Sequence, residues 1–156
     1  SAVASGLVLS GDGWHPGVVG IVASRVVERY GRPTFLVALD GESGKGSGRS
    51  ISRFNLHHAL VACGDLLERF GGHHMAAGLS IQRLQLGAFR ERFNALVASA
   101  VAPEDLGPEQ RVDLELPLSE ATRELERLAR HLEPTGPGEP VLQARLVALS
   151  PSGSLR

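Results

Sequence analysis

Apolar positions along the first hundred residues follow two rhythms. Gly6-Leu7-Val8-Leu9 and Thr34-Phe35-Leu36-Val37-Ala38-Leu39 are short continuous runs, too short for lone helices, and read as buried strands; the first ends in the turn Gly11-Asp12-Gly13. Between them Val18, Val19, Val22, Val26 and Tyr30 recur at helical spacing, with Arg25, Glu28 and Arg29 on the wet side. The spacing predicts a helix over 16–30. Pro16 suits its first position, where a missing N–H costs nothing, and Gly31 with Pro33 stops it. Burial outweighs the small propensity deficit of the valines. Strand, helix, strand at these lengths predicts a βαβ unit with a parallel pair, and so an α/β domain.

Asp40 to Gly44 then reads as a turn and Lys45 to Ile51 as an extended segment. Asn55 can cap a helix that carries Leu56, Ala59, Leu60, Cys63, Leu67 and Phe70 inward, closed by Gly71. Leu79-Ser80-Ile81 is a short strand. Leu86, Phe89, Phe93, Leu96, Val97 and Ala100 form the stripe of a further helix. At Ala102 the composition turns to proline, glycine and acids, which reads as a linker over 102–111. Beyond it come a strand from Val112 to Leu116, a helix capped near Ser119 with Leu125, Leu128 and Leu132 on one face, a proline-glycine turn over 133–140, and a strand from Leu142 to Leu149. The expected organisation is one domain over 1–101 and an incomplete second over 112–156, the latter marginal by itself.

Composition narrows the class. With 42% hydrophobic and 21% charged residues, the chain can build a core and is not disordered as a whole. It has no apolar run of the roughly 18 to 20 residues a membrane helix needs, no membrane partner is expected, and the N-terminus lacks a signal-peptide layout. Cys63 is the sole cysteine, so no internal disulfide can form; a cytoplasmic protein is the expectation. The net charge of -1 argues against non-specific coating of nucleic acid, yet it conceals a division. Residues 1–101 carry 10 Lys and Arg against 7 Asp and Glu, and residues 102–156 carry 6 against 10, which makes the first part the home for an anion. One Trp, one Tyr and five Phe supply little for base stacking.

Two stretches hold the candidate chemistry. Gly71-Gly72-His73-His74-Met75-Ala76-Ala77-Gly78 surrounds a histidine pair with glycines that let a ligand approach the backbone. A metal site could be drawn from His57, His58, Cys63, Asp65, His73 and His74, but adjacent histidines diverge, by about 100° on a helix and to opposite faces on a strand, and the spacing does not converge on an ion. His57 and His58 then read as a solvated helix shoulder and Cys63 as a small core residue. Gly46-Ser47-Gly48-Arg49-Ser50 sets hydroxyls and a guanidinium beside glycines, which suits a phosphate; the plainer alternative is a turn with a surface arginine. His73 adds a second donor, readily protonated beside a dianion. A serine hydrolase is disfavoured because no GxSxG pattern occurs, and the turn from Gly11 to Gly17 lacks the third glycine of a dinucleotide fingerprint.

Trp14-His15-Pro16-Gly17-Val18-Val19-Gly20-Ile21-Val22-Ala23-Ser24-Arg25, then Gly46 to Ser50, then Gly71-Gly72-His73 with Ala76-Ala77-Gly78, resemble in order and spacing the C-terminal part of the RecJ family of single-strand-specific 5′ to 3′ DNA exonucleases. The resemblance implies that residues 1–101 are a DHH-associated domain, a mixed β-sheet flanked by helices. Leu132-Glu133-Pro134-Thr135-Gly136 and the strand after it resemble the start of an oligonucleotide-binding (OB) domain, so 112–156 would be a partial OB-like β segment with one helix. It further implies that a separate N-terminal DHH domain, partner to this one, holds the Mn2+ or Mg2+ that drives hydrolysis in DNA repair and recombination. This chain would carry no catalytic residue or metal ligand and would be inactive alone. Its task would be to grip single-stranded DNA, with Ser47, Arg49 and His73 as phosphate contacts, Gly46, Gly48, Ser50, Gly71 and Gly72 around them, and Trp14, His15 and His74 as accessory residues. Three rivals stay open: a non-catalytic phosphate or nucleotide module, a fragment of a DHH-family oligoribonuclease or cyclic-dinucleotide phosphodiesterase, whose glycine-histidine motif is similar, and a stand-alone enzyme using His15 or His73 as acid or base.

Overall fold

The computed structural model describes residues 4–108 together with 122–124 and 127. The chain forms two compact units, Ser1–Glu109 and Gln110–Arg156. In chain order the first unit runs β1 (Leu7–Asp12), α1 (Pro16–Tyr30), β2 (Thr34–Asp40), β3 (Ser43–Arg49), α2 (Leu56–Ala62), β4 (Arg69–Gly72), β5 (Ala76–Gln82) and α3 (Leu86–Ala100), with short 3-10 turns between and after them. The strands make one five-stranded sheet in the order β1-β2-β3-β5-β4. β1 and β2 are parallel, as the βαβ pattern predicts, and every other pair is antiparallel. It is the mixed, helix-flanked sheet that the resemblance implies.

β2 is an inner strand, paired on both sides and buried on both faces, which is why it reads as an unbroken apolar run. Its odd residues, Phe35, Val37 and Leu39, meet α2 and α3 in the main core, where Phe35 packs edge-on against Phe89 and Phe93 at 5.6 and 5.2 Å. Its even residues Leu36 and Ala38 meet Val19 and Ala23 of α1 on the opposite face. β3 fits beside β2 because it alternates glycine with polar residues. A Cβ on Gly48 would stand 2.4 Å from the Phe35 ring, and one on Gly46 would stand 2.8 Å from Leu79 Cδ1. These glycines clear room for the core, and the backbone of β3 is taken up by pairing with β2 and β5.

Several boundaries differ from the pattern. β1 is an edge strand with only Val8 buried, because among the described residues no strand lies beyond it. α1 sits on its small residues: Val19 and Ala23 are buried, while Val18, Val22 and Tyr30, expected inward, are exposed. The surface beneath it is small too, and close approach favours that side. The turn after β2 shrinks to Gly41 and Glu42. α2 stops at Ala62, and Arg69–Gly72 pairs with β5, leaving Phe70 exposed on a strand rather than inward on a helix. After α3, Arg53 holds Asp105 at 2.8 Å and Leu106 packs on the core. The strand expected over 112–116, the face of Leu125, Leu128 and Leu132, the turn over 133–140, the strand over 142–149 and the OB-like reading lie outside the described residues.

Candidate functional site

The sheet face that carries α1 is covered only in part. Past the helix, β3, β5 and β4 present an open surface whose side chains fall in cross-strand rows, because strand partners share a face. The register sets Arg49 opposite Ala76, Ser47 opposite Gly78 and Lys45 opposite Ser80; it then sets Gly71 opposite Gly78 and Arg69 opposite Ser80. His73 continues the first row, its amide donating to the Ala76 carbonyl at 2.8 Å. Arg49 and His73 thus stand two strand spacings apart, about 10 Å. A cleft of about 400 Å3 opens over this face, lined by Pro16, Lys45, Gly46, Ser47, Arg69, Phe70, Gly71, Gly78, Leu79 and Ser80. Its lining contains two cations and no carboxylate.

Ser47 and Arg49 come together beneath Gly20 of α1. A Cβ on Gly20 would lie 3.1 Å from Arg49 Nη2 and 3.5 Å from Ser47 Oγ, so a helix interior that would favour alanine keeps a glycine at the point of contact. Arg49 Nη1 donates to the Gly48 carbonyl at 2.8 Å, which orients the guanidinium; among the described residues its other N–H groups and the Ser47 hydroxyl have no partner. Such a fork and hydroxyl suit two oxygens of one phosphate.

The remaining expected residues are placed differently. Ser50 is 5% exposed and its hydroxyl donates to the Phe54 carbonyl at 2.6 Å, so it fastens the loop after β3 instead of facing the cleft. Gly46 and Gly48 serve core clearance, as described. Gly71 is open floor, with nothing within 4 Å of where a Cβ would stand. Gly72 has φ 141°, in a region that favours glycine, and a Cβ there would lie 2.4 Å from Ala77 Cα; it shapes the β4–β5 hairpin. His74 Nε2 donates to the Ser52 carbonyl at 2.9 Å and its own carbonyl accepts from Leu56 N, so it clips the hairpin tip to the loop before α2. His15 is the N-cap of α1, Nδ1 accepting from Gly17 N at 3.1 Å. With Val18 and Val19 amides also bonded to the His15 carbonyl, the helix start is already satisfied and offers a ligand little. Trp14 lies over Gly11, at the end of β1.

Lys45, Arg69, Ser80 and Gly20 join this face without being singled out by the sequence pattern. The signal for Lys45 was the strict alternation in Gly44-Lys45-Gly46-Ser47-Gly48-Arg49, glycines to one face and polar side chains to the other.

Charges elsewhere are committed to structure. The hydrogen bond from Arg83 holds the Asp12 carboxyl below its ordinary value, and Arg92 does the same for Asp65. Burial pushes the Cys63 thiol up, against the pull of the Arg92 charge. Among the described residues no three His, Cys, Asp or Glu side chains converge. Asp65 is held by Arg92, Cys63 is buried, and the exposed His57 and His58 rings tilt apart with centroids at 6.3 Å. This donor set does not fit a divalent cation.

The sequence profile of the DHHA1 domain matches residues 3–99. The chain belongs to the DHHA1 family. This DHHA1 chain is 42% identical over 132 residues to the single-stranded-DNA-specific exonuclease RecJ of Bacillus subtilis (strain 168), a match that covers 83% of the chain and 17% of that protein. It is 40% identical over 136 residues to RecJ of Escherichia coli (strain K12), covering 84% and 24%. The crystal structure of RecJ in complex with Mn2+ from Thermus thermophilus superposes with a TM-score of 0.71 at 39% identity, covering 88% of this chain and 20% of that one. The chain therefore spans roughly a fifth of the length of the curated relatives it matches. No helix among the described residues is long and apolar enough to cross a membrane.

Proposed function

We propose that this chain is the strand-gripping part of a RecJ-type 5′ to 3′ single-stranded-DNA exonuclease acting in the cytoplasm in DNA repair and recombination. The observation that carries the reading is the pairing of Ser47 and Arg49 under Gly20, both with unspent donors, at a carboxylate-free cleft that Ser47 lines. Arg49 takes two oxygens of a strand phosphate through its fork, the Ser47 hydroxyl donates to the same group, and His73 approaches from the edge strand two spacings away. The bare glycine floor between them lets a sugar-phosphate backbone lie close. Hydrolysis of a phosphodiester by this family draws on Mn2+ or Mg2+. The donor set described here does not fit them, so the reading assigns the ions to a separate DHH domain, the partner of this one, and leaves to the present residues the binding and orientation of the strand.

The test is binding of a 5′-phosphorylated oligothymidylate, followed by fluorescence anisotropy. Arg49→Ala removes a charge-assisted bidentate contact and is expected to cost about 1.5 to 3 kcal/mol. Unchanged affinity in that variant would overturn the reading.

A further inference from the structure

One row along the same face, Lys45, Ser80 and Arg69 lie side by side on β3, β5 and β4. Two like charges flank a hydroxyl there. Like charges brought to one cross-strand row repel, and nothing among the described residues neutralises these two. Every other Lys or Arg of residues 4–108 has a carboxylate, a backbone carbonyl or an aromatic ring to hold. Within that span Lys45 and Arg69 alone have no such partner, and both line the cleft. We infer that Lys45, Ser80 and Arg69 form a second anion subsite, which takes a different phosphodiester of the strand whose phosphate sits at Ser47 and Arg49.

This rests on the single-strand reading above and extends it. Lys45 and Arg49 are four residues apart on β3, about 13 Å, farther than one phosphate reaches, so the two rows hold separate phosphates. Between them Gly78 and Gly71 leave the sheet bare. A Cβ on Gly71 would meet nothing within 4 Å, and one on Gly78 would meet only the Gly46 carbonyl at 3.7 Å. A sugar-phosphate chain can cross that strip from one row to the next without a side chain in its path. Lys45 supplies a mobile point charge, Arg69 a planar fork and Ser80 a hydroxyl, a set that matches a phosphodiester monoanion.

The experiment measures binding of 5′-phosphorylated oligothymidylates, one of two nucleotides and one of about ten, to the full chain by isothermal titration calorimetry from about 50 to 300 mM salt. The Lys45→Ala/Arg69→Ala double variant is expected to weaken the longer oligonucleotide by about tenfold and to lower the salt slope of its binding by about 0.7, the share of one phosphate contact. The dinucleotide, held at Ser47 and Arg49, keeps its affinity. Lys45→Arg/Arg69→Lys retains the charges and the slope. Both side chains are exposed, so the fold survives their truncation. If the longer oligonucleotide binds the double variant with unchanged affinity and slope while Arg49→Ala weakens both ligands, the inference falls and the proposed function stands. If the unaltered chain binds neither ligand, both fall.

Discussion

Gly71 and Gly72 are neighbours on β4 and face opposite demands. Gly72 needs its positive φ, and any Cβ there runs into the backbone of Ala77, so Gly72→Ala is expected to destabilise the unit by about 1 to 3 kcal/mol from the backbone conformation alone. Gly71 has ordinary backbone geometry and open space, so Gly71→Ala is expected to leave the stability unchanged within about 0.5 kcal/mol. Its new methyl stands on the floor of the cleft, and oligonucleotide affinity should fall. Thermal denaturation and anisotropy on the two variants separate the roles; an unstable Gly71→Ala or a stable Gly72→Ala would contradict the assignment. Gly20 offers the reverse trade. Gly20→Ala gains about 0.8 to 1 kcal/mol of helix propensity, but its methyl arrives 3.1 Å from Arg49 Nη2 and displaces the flexible end of that side chain. The expected variant is at least as stable as the parent and binds strand more weakly, an outcome read by the same two measurements.

At the scale of elements, what is legible in the sequence is what local periodicity decides. α1, β2 and α3 announce themselves because their patterns extend over many residues and need no partner to be recognised. The pattern draws α2 too long for the same reason: Leu67 and Phe70 keep helical spacing from Cys63, and only pairing with β5, farther along the chain, makes a strand of Arg69–Gly72. That misreading conceals Arg69. Ser47 and Arg49 are visible from residue type, whereas Lys45 and Gly20 join them only through register and helix docking. Two arginines fasten elements that lie far apart in sequence: Arg83, after β5, holds Asp12 at the end of β1, and Arg92 of α3 holds Asp65 after α2. Both carboxyls are depressed below their ordinary value of 3.8, so their contribution is present above that pH and is lost as pH falls through the lowered folded values. Both pairs are exposed, and the contribution is small. Urea midpoints of the parent and of Arg83→Gln/Arg92→Gln should differ modestly near neutral pH and converge in acid; a difference that grows on acidification would contradict the linkage.

For the whole molecule, the proposed function assigns binding and cleavage to different sets of residues. Gripping a strand through Arg49, Ser47, Lys45 and Arg69, as proposed, would be electrostatics and hydrogen bonding, and would need no ion. Cutting a phosphodiester with two metals needs ligands that hold both ions against the attacking and leaving oxygens, and no three acid, histidine or cysteine side chains of the described residues converge to do so. Chelation with EDTA is therefore expected to leave the affinity of this chain for single-stranded oligonucleotides unchanged, while added Mn2+ yields no nucleotide release from a labelled strand. Raising monovalent salt, in contrast, should release the strand steeply, because each phosphate contact contributes about 0.7 to the slope of log K against log salt. Affinity lost to EDTA and restored by Mn2+ would mean that an ion bridges this face to the phosphates, and robust Mn2+-dependent cleavage would place the catalytic ligands within these 156 residues. Either result would move the chemistry onto the chain that is here assigned only the grip.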